Sequence, residues 1–184
     1  HCVFVDSEEI GILAERKVGV IHNPQSNLKL ASGIAPIKEM LDKGVNVGLG
    51  TDGPSSNNNL DMWEEMRLVA TLHKGYLKDP TAIPANLALD MATRKGMEIL
   101  GWKDSGILDV GKKADLILVD IRKPHFFPRF NLISHLVYSA GSYDVDTVIV
   151  DGKILMEKRE VKVLDEEKII YEAEKRAFQL VKKE

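Results

Sequence analysis

Val45-Asn46-Val47-Gly48-Leu49-Gly50-Thr51-Asp52-Gly53-Pro54-Ser55-Ser56 decides the fold class of this 184-residue chain. Its first half is a short apolar run of the buried-strand type, and it passes at once into a polar loop. The same pattern stands upstream. Val18-Gly19-Val20-Ile21 reads as a strand and ends in His22-Asn23-Pro24-Gln25-Ser26-Asn27. Between the two strands, residues 35–43 carry Ile37, Met40 and Leu41 at helical spacing, with Gly44 as a stop. Residues 7–17 predict a helix before the first strand, with Ser7 as cap and Glu8 and Glu9 in the first turn. Residues 60–74 predict a helix after the second, with Leu60, Trp63, Met66 and Ala70 on one face. Helix, strand and loop thus alternate, which implies parallel strands joined by crossover helices and an α/β fold. Two complete units are too few to close a barrel or fill a doubly wound sheet.

Downstream, residues 84–100 predict one long helix, with Pro84 in its first turn. After Gly101 the pattern changes. Residues 106–111 read as a turn-rich β segment, and residues 114–120 as a clear strand. Residues 124–128 read as a loop and 132–139 as a short helix. Two strands, 146–150 and 153–156, are joined through Asp151-Gly152, a strong hairpin signal. Residues 166–183 close the chain as an amphipathic helix. The expected domain boundary falls at 104/105, with an α/β part before it and a β-rich part with its terminal helix after it. Neither an internal repeat nor a low-complexity tract is visible.

Hydrophobic residues make up 44% of the chain, enough for a sizeable core. The formal charge of −3 gives no electrostatic reason to expect nucleic acid or an anionic membrane as partner. No apolar stretch approaches the roughly 20 residues needed to span a bilayer. The single cysteine, Cys2, excludes an internal disulfide and a multi-cysteine zinc module, and reads as a small buried residue of a cytoplasmic protein. Charged residues reach 29%, with Lys and Glu prominent, a composition that leans towards a thermophile. The chain opens on His1-Cys2-Val3-Phe4-Val5 with no Met and no signal-peptide pattern, which reads as a cut end.

Asp52 is the first candidate for chemistry. It sits where a buried parallel strand gives way to a polar loop, the edge on which α/β folds build their sites. A carboxylate there binds a divalent metal or accepts a proton; equally, Asp-Gly serves as a plain turn. His1, just before an apolar run, reads either as the last residue of a preceding strand, facing the same rim, or as a frayed end. His22 points at a site or into the packing between strand and helix. Asn23, Ser26 and Asn27 offer donors and acceptors for a polar ligand or for the loop itself. His73, His125 and His135 share no metal-ligand spacing and are read as non-catalytic.

Taken together, four segments give the chain a likeness to a known family. They are His1-Cys2, then His22-Asn23-Pro24-Gln25-Ser26-Asn27-Leu28-Lys29-Leu30, then Gly50-Thr51-Asp52-Gly53 with Ser55-Ser56-Asn57-Asn58, and last Gly106-x-Leu108-x-x-Gly111-x-x-Ala114-Asp115-Leu116. In this order the chain resembles the amidohydrolase superfamily. The nearest branch is that of the 5′-methylthioadenosine/S-adenosylhomocysteine deaminases and chlorohydrolase-like proteins. The resemblance implies the C-terminal part of a TIM (β/α)8 barrel, from the end of strand six through strand eight. Strands of a small β domain and a C-terminal helix follow. It implies that Asp52 is the metal ligand after strand eight and carries a proton to the leaving group. It implies that His1 touches the nucleophilic water and the substrate, and that Asn23, Ser26 and Asn27 line the substrate site. The implied metal is Zn²⁺, with Fe²⁺ or Mn²⁺ as alternatives.

The family also needs a His-x-His after strand one, a histidine after strand five and a nearby glutamate. None can be placed here, so the resemblance leaves those ligands to a missing N-terminal part. One carboxylate cannot hold a catalytic zinc, which takes three or more protein ligands. The chain alone is therefore expected to be inactive, and the longer protein to release ammonia from a nucleoside-like small molecule. Two alternatives stand beside this. One keeps the fold and changes the substrate to guanine, cytosine or a triazine, by C–N or C–Cl hydrolysis. The other is a non-catalytic interaction module, and a homo-oligomer through unpaired strand edges is the assembly such a chain allows.

Overall fold

A computed structural model describes residues 1–181. The chain divides into two compact units, His1–Lys112 with Ile121–Asp144, and Lys113–Asp120 with the residues from Val145 onward. The division differs from a single cut at 104/105. Residues 121–144 fold with the first unit because Phe126 and Val137 are fully buried there.

The first unit runs α1 (Ser7–Glu15), β1 (Val20–His22), α2 (Pro24–Lys29), α3 (Ile37–Asp42), β2 (Val47–Leu49), α4 (Pro54–Asn57), α5 (Met62–Leu77), α6 (Ala85–Ala92), α7 (Arg94–Ile99) and, after the second unit's first segment, α8 (Leu132–Tyr138). β1 and β2 pair in parallel, with Val20 opposite Val47 and His22 opposite Leu49. The parallel pair results from the alternation of strand and crossover helix. Val20, Val47 and Leu49 join Ile10, Ile37, Met40, Met66, Val69, Ala88 and Met91 in one hydrophobic core.

Several local details depart from the sequence expectation. Asp6, not Ser7, caps α1: its carboxylate accepts from the backbone N–H of Glu8 and Glu9, and Glu9 returns a bond to the Asp6 N–H. This reciprocal box satisfies donors that the helix itself cannot. Both polar loops after the strands contain short helices, α2 and α4, each with a proline in its first turn. Leu60 lies outside α5 and is 44% exposed, since α5 begins at Met62 behind the capping carboxylate of Asp61. The long helix expected over 84–100 breaks at Thr93, which takes φ −127° and ψ −96°. The Thr93 hydroxyl donates to the Leu89 carbonyl at 2.8 Å, and the break lets α7 lie on β2. There Gly48 faces Gly96 so closely that an added Cβ would meet its Cα at 3.1 Å. Cys2 is half-buried, with a φ of +49°. α8 is tied to α5 by the Trp63 indole, which donates to the Leu136 carbonyl at 2.7 Å.

The second unit is an antiparallel sheet of β3 (Leu116–Val119), β4 (Val145–Val150), β5 (Lys153–Glu157) and β6 (Glu160–Val161), in that order, followed by α9 (Glu166–Val181). Asp151 and Gly152 both take positive φ, 50° and 76°, as a two-residue hairpin turn requires. A second two-residue turn, Lys158-Arg159, also has positive φ at both positions and lacks the glycine that would have shown it in the sequence. The β segment expected over 106–111 is absent: the stretch is turns, with Gly106 and Gly111 at φ 85° and 81°. The terminal helix is described as far as Val181; Lys182 and Lys183 of that expectation lie outside the described residues.

Gly50 is tightly enclosed at the carboxyl ends of the strands. An added Cβ would lie 2.6 Å from Asn23 Oδ1 and 2.7 Å from Ile21 Cγ2. Gly50→Ala is expected to destabilise the fold by about 1–3 kcal/mol, the usual cost of overpacking. Thermal unfolding of the variant checks this, and an unchanged midpoint would show that the site gives way freely.

Candidate active site

Because β1 and β2 are parallel, their carboxyl ends share one edge. The Gly50 N–H donates to the His22 carbonyl at 3.0 Å and carries the pairing one step past the strands. Asp52 stands two residues further on, with a φ of +62°. Its carboxylate is well supplied with donors. Oδ2 accepts from the hydroxyls of Ser26 and Ser56, each at 2.7 Å, and Oδ1 accepts from the Gly53 N–H at 2.8 Å. These bonds, from Ser56 first, then Ser26 and Gly53, hold the Asp52 pKa below the ordinary aspartate value. The side chain remains 34% exposed, so the group is an ionised carboxylate open on one side.

His1 faces it. Nε2 lies 3.6 Å from Asp52 Oδ2, beyond hydrogen-bond range, and Nδ1 lies 2.7 Å from Asn27 Oδ1. With that oxygen as acceptor, Nδ1 is the donor, and the Nε2 of a neutral ring carries the lone pair. Beside His1 opens a cavity of about 420 Å³, lined by Val3, Phe4 and Val5 on its apolar side and by Asn27, Ser32 and Glu9 on its polar side.

Four sequence-derived candidates, His1, Ser26, Asn27 and Asp52, therefore meet in one place. Asn23 does not join them. It is 6% exposed, with its Nδ2 on the Ile21 carbonyl at 3.5 Å and its Oδ1 against Gly50, so it packs the strand ends. His22 is 1% exposed and turns away from Asp52 towards His73, its Nε2 lying 3.4 Å from His73 Nε2. Burial above all, then the neighbouring His73, pushes the His22 pKa down to about 3; burial pushes His73 down to about 4. Both rings are therefore neutral near pH 7, and between their Nε2 atoms one donates and the other accepts. His125 contacts Asp144 at 3.0 Å and His135 the Pro128 carbonyl at 2.9 Å, both away from Asp52.

Sequence reasoning gave Ser56 and Asn57 no role beyond their place in a family segment, and it passed over Glu65. Glu65 is fully buried on α5. Its Oε2 accepts from the Gln25 N–H at 3.1 Å and its Oε1 from Asn57 Nδ2 at 2.5 Å. Burial raises its pKa, partly offset by these two bonds. A signal was present: Glu65, Val69 and His73 succeed one another at intervals of four, which places two polar groups on the buried stripe of the helix. Among the described residues, no group of three or more His, Cys, Asp or Glu side chains could by itself hold a metal ion.

The chain belongs to the amidohydrolase family, whose pattern it matches over residues 1–155. It is similar to a 5-methylthioadenosine/S-adenosylhomocysteine deaminase of Dictyoglomus thermophilum, 76% identical over 183 residues, which cover 100% of this chain and 43% of that protein. A 5′-deoxyadenosine deaminase of Methanosarcina acetivorans is 57% identical over 98% of this chain and 42% of its own length. Among solved structures, an adenosine deaminase from Xanthomonas campestris with bound zinc superposes with a TM-score of 0.95. It is 38% identical and is matched over 99% of this chain and 42% of that one. The chain thus spans less than half the length of these relatives. Its fold is the C-terminal part of an amidohydrolase (β/α)8 barrel with strands of a small β domain and a terminal helix.

Proposed function

We propose that these residues form one side of the active site of a metal-dependent hydrolytic deaminase. Its substrate is 5′-methylthioadenosine, S-adenosylhomocysteine or a related adenine nucleoside, and ammonia is released. The observation that carries this is Asp52: an ionised, half-open carboxylate on the carboxyl edge of parallel strands, with His1 Nε2 3.6 Å away. The names of the similar deaminases support the substrate class.

Asp52 suits a divalent metal. It is a hard oxygen donor held in its charged form, and Oδ1 keeps a lone pair beyond its one bond to Gly53. Asp52, with ligands from the rest of a longer protein, would hold Zn²⁺, which lowers the pKa of water towards roughly 7. Zinc is favoured over Fe²⁺ or Mn²⁺ because the solved adenosine deaminase carries it. One carboxylate is too little for such a site. The 184 residues alone are therefore expected not to turn over.

In this reading Asp52 accepts the proton of the attacking water and delivers it to the amino group at C6 of the purine. Water oxygen bonds to C6, the C6–N bond breaks, and ammonia departs. His1, oriented by Asn27, accepts a hydrogen bond from the attacking water at Nε2. Ser26 and Ser56 keep Asp52 ionised for the first transfer. The apolar side of the cavity, Val3, Phe4 and Val5, suits a thioether or alkyl group at the 5′ position. The unit of residues 1–112 and 121–144 then belongs to the barrel, and β3 to β6 of the second unit to the small β domain. The lone cysteine, Cys2, is free and fits a reducing cytoplasm.

Ammonia release by the zinc-loaded full-length protein tests the reading. With methylthioadenosine, S-adenosylhomocysteine, adenosine and guanine offered side by side, kcat/KM is expected to be highest for the two thioether nucleosides. Preference for guanine, or no ammonia from any adenine nucleoside, would remove the assignment.

A further inference from the structure

We propose that Glu65 is the positioning residue for Asp52, a role that rests on the reading of Asp52 as a metal ligand. Glu65 reaches both loops that surround that carboxylate. Through Oε2 it holds the backbone of Gln25, and the next residue, Ser26, donates to Asp52. Through Oε1 it holds Asn57, and the preceding residue, Ser56, donates to the same oxygen. The Asn57 amide also donates to the Thr51 carbonyl at 2.7 Å, one residue before Asp52. One buried side chain thereby fixes both serine donors and the backbone that presents Asp52.

The arrangement has a reason. Asp52 stands at φ +62°, a conformation that L-residues adopt at a cost and keep only where the surroundings hold them. The loops alone do little to impose it, since α4 is a single turn. Glu65 is anchored in α5, a helix of 16 residues packed into the core through Met66, Val69 and Ala70. The choice of a carboxylate reflects its partners. Both are donors, so only a group that accepts with two oxygens satisfies them. A glutamine of nearly the same shape would set its NH₂ against a donor. An aspartate, one methylene shorter, would fall short of one loop. Glu65 is not itself a metal ligand, because it is fully buried and both oxygens are engaged.

The test compares wild type, Glu65→Gln, Asp52→Ala and the double variant of the full-length protein. Zinc affinity is read by competition with a chelating dye, and kcat and KM by ammonia release. Glu65→Gln is expected to weaken zinc binding or activity by about 10–100-fold, the usual loss when a group that orients a ligand is removed. The loss should fall on kcat and zinc affinity more than on KM. The double variant should bind zinc no more weakly than Asp52→Ala alone, because Glu65 acts through Asp52. The proposal is overturned if Glu65→Gln keeps wild-type zinc affinity and kcat while losing only thermal stability, or if the two losses add. Wild-type zinc affinity in Asp52→Ala would instead sink the metal-ligand reading, and this proposal with it. Should Glu65→Gln fail to fold, Asn57→Ala removes one of the two arms; weakened zinc binding supports the proposal and wild-type binding overturns it.

Discussion

Asp52→Asn in the zinc-loaded full-length protein is expected to lower kcat by about 10²–10⁴-fold, the range for loss of a positioned proton-transfer group. Zinc binding should weaken as well. The substitution is nearly isosteric, so its effects are chemical. An amide neither accepts the proton of water nor carries the negative charge that draws a divalent cation. It also loses one of the two acceptor oxygens that now take bonds from Ser26, Ser56 and Gly53. Steady-state ammonia release, with metal content measured on the same preparation, checks both parts. A variant with wild-type kcat and full metal content would remove Asp52 from its role.

The second large effect concerns acid. Lowering the pH from 6.5 to 4.5 is expected to cost the first unit about 5 kcal/mol of stability through His22 and His73 alone. Both are neutral in the folded protein, with pKa values pushed down to about 3 and about 4. In the unfolded chain each titrates near 6.5. The contribution is complete above that value. It is lost as the pH falls, because the unfolded state takes up protons that the folded state refuses, at about 1.4 kcal/mol per pH unit for each group. The loss levels off only as the folded values are reached. Against a typical total of about 5–15 kcal/mol it is a large share. Imidazole resonances of His22 and His73 that stay unshifted from about pH 8 to about pH 5 would bear this out, and titration of either near its unfolded value would refute it. Urea unfolding of His73→Leu should show a pH dependence smaller by about half of this loss.

Much of the candidate site was legible in the sequence. Asp52 was visible because a strand-to-loop transition is a local pattern, read from Val47-Gly48-Leu49 and the polar loop from Thr51 to Ser56. His1, Ser26 and Asn27 entered through their likeness to family segments. Asn23 entered through the same likeness, while its burial at 6% exposure against the strand ends follows the other use that local reading left open, since a polar residue in a loop looks alike whether it meets a ligand or wedges strand ends together. Local reading ran α6 and α7 together, because side-chain periodicity carries on across Thr93 while the backbone there does not. The break is set by packing, where Gly48 and Gly96 come close enough to seat α7 on β2.

By itself the sequence determined the alternation of apolar strands and helices, hence parallel pairing, and hence a shared edge where His22 and Asp52 leave their strands. It also carried the family and the Asp151-Gly152 hairpin. These arise from interactions between near neighbours in the chain, which residue order records directly. Only the tertiary structure decided that Asp52 is gripped by Ser26 from one loop and Ser56 from the other. It alone turned His22 inward onto His73, and it alone buried Glu65 between Gln25 and Asn57. The Ser26–Asp52 contact spans 26 positions of the chain, Gln25–Glu65 spans 40 and His22–His73 spans 51, far beyond the reach of any local pattern. Which of several polar groups meets which is settled by the core that brings their backbones together.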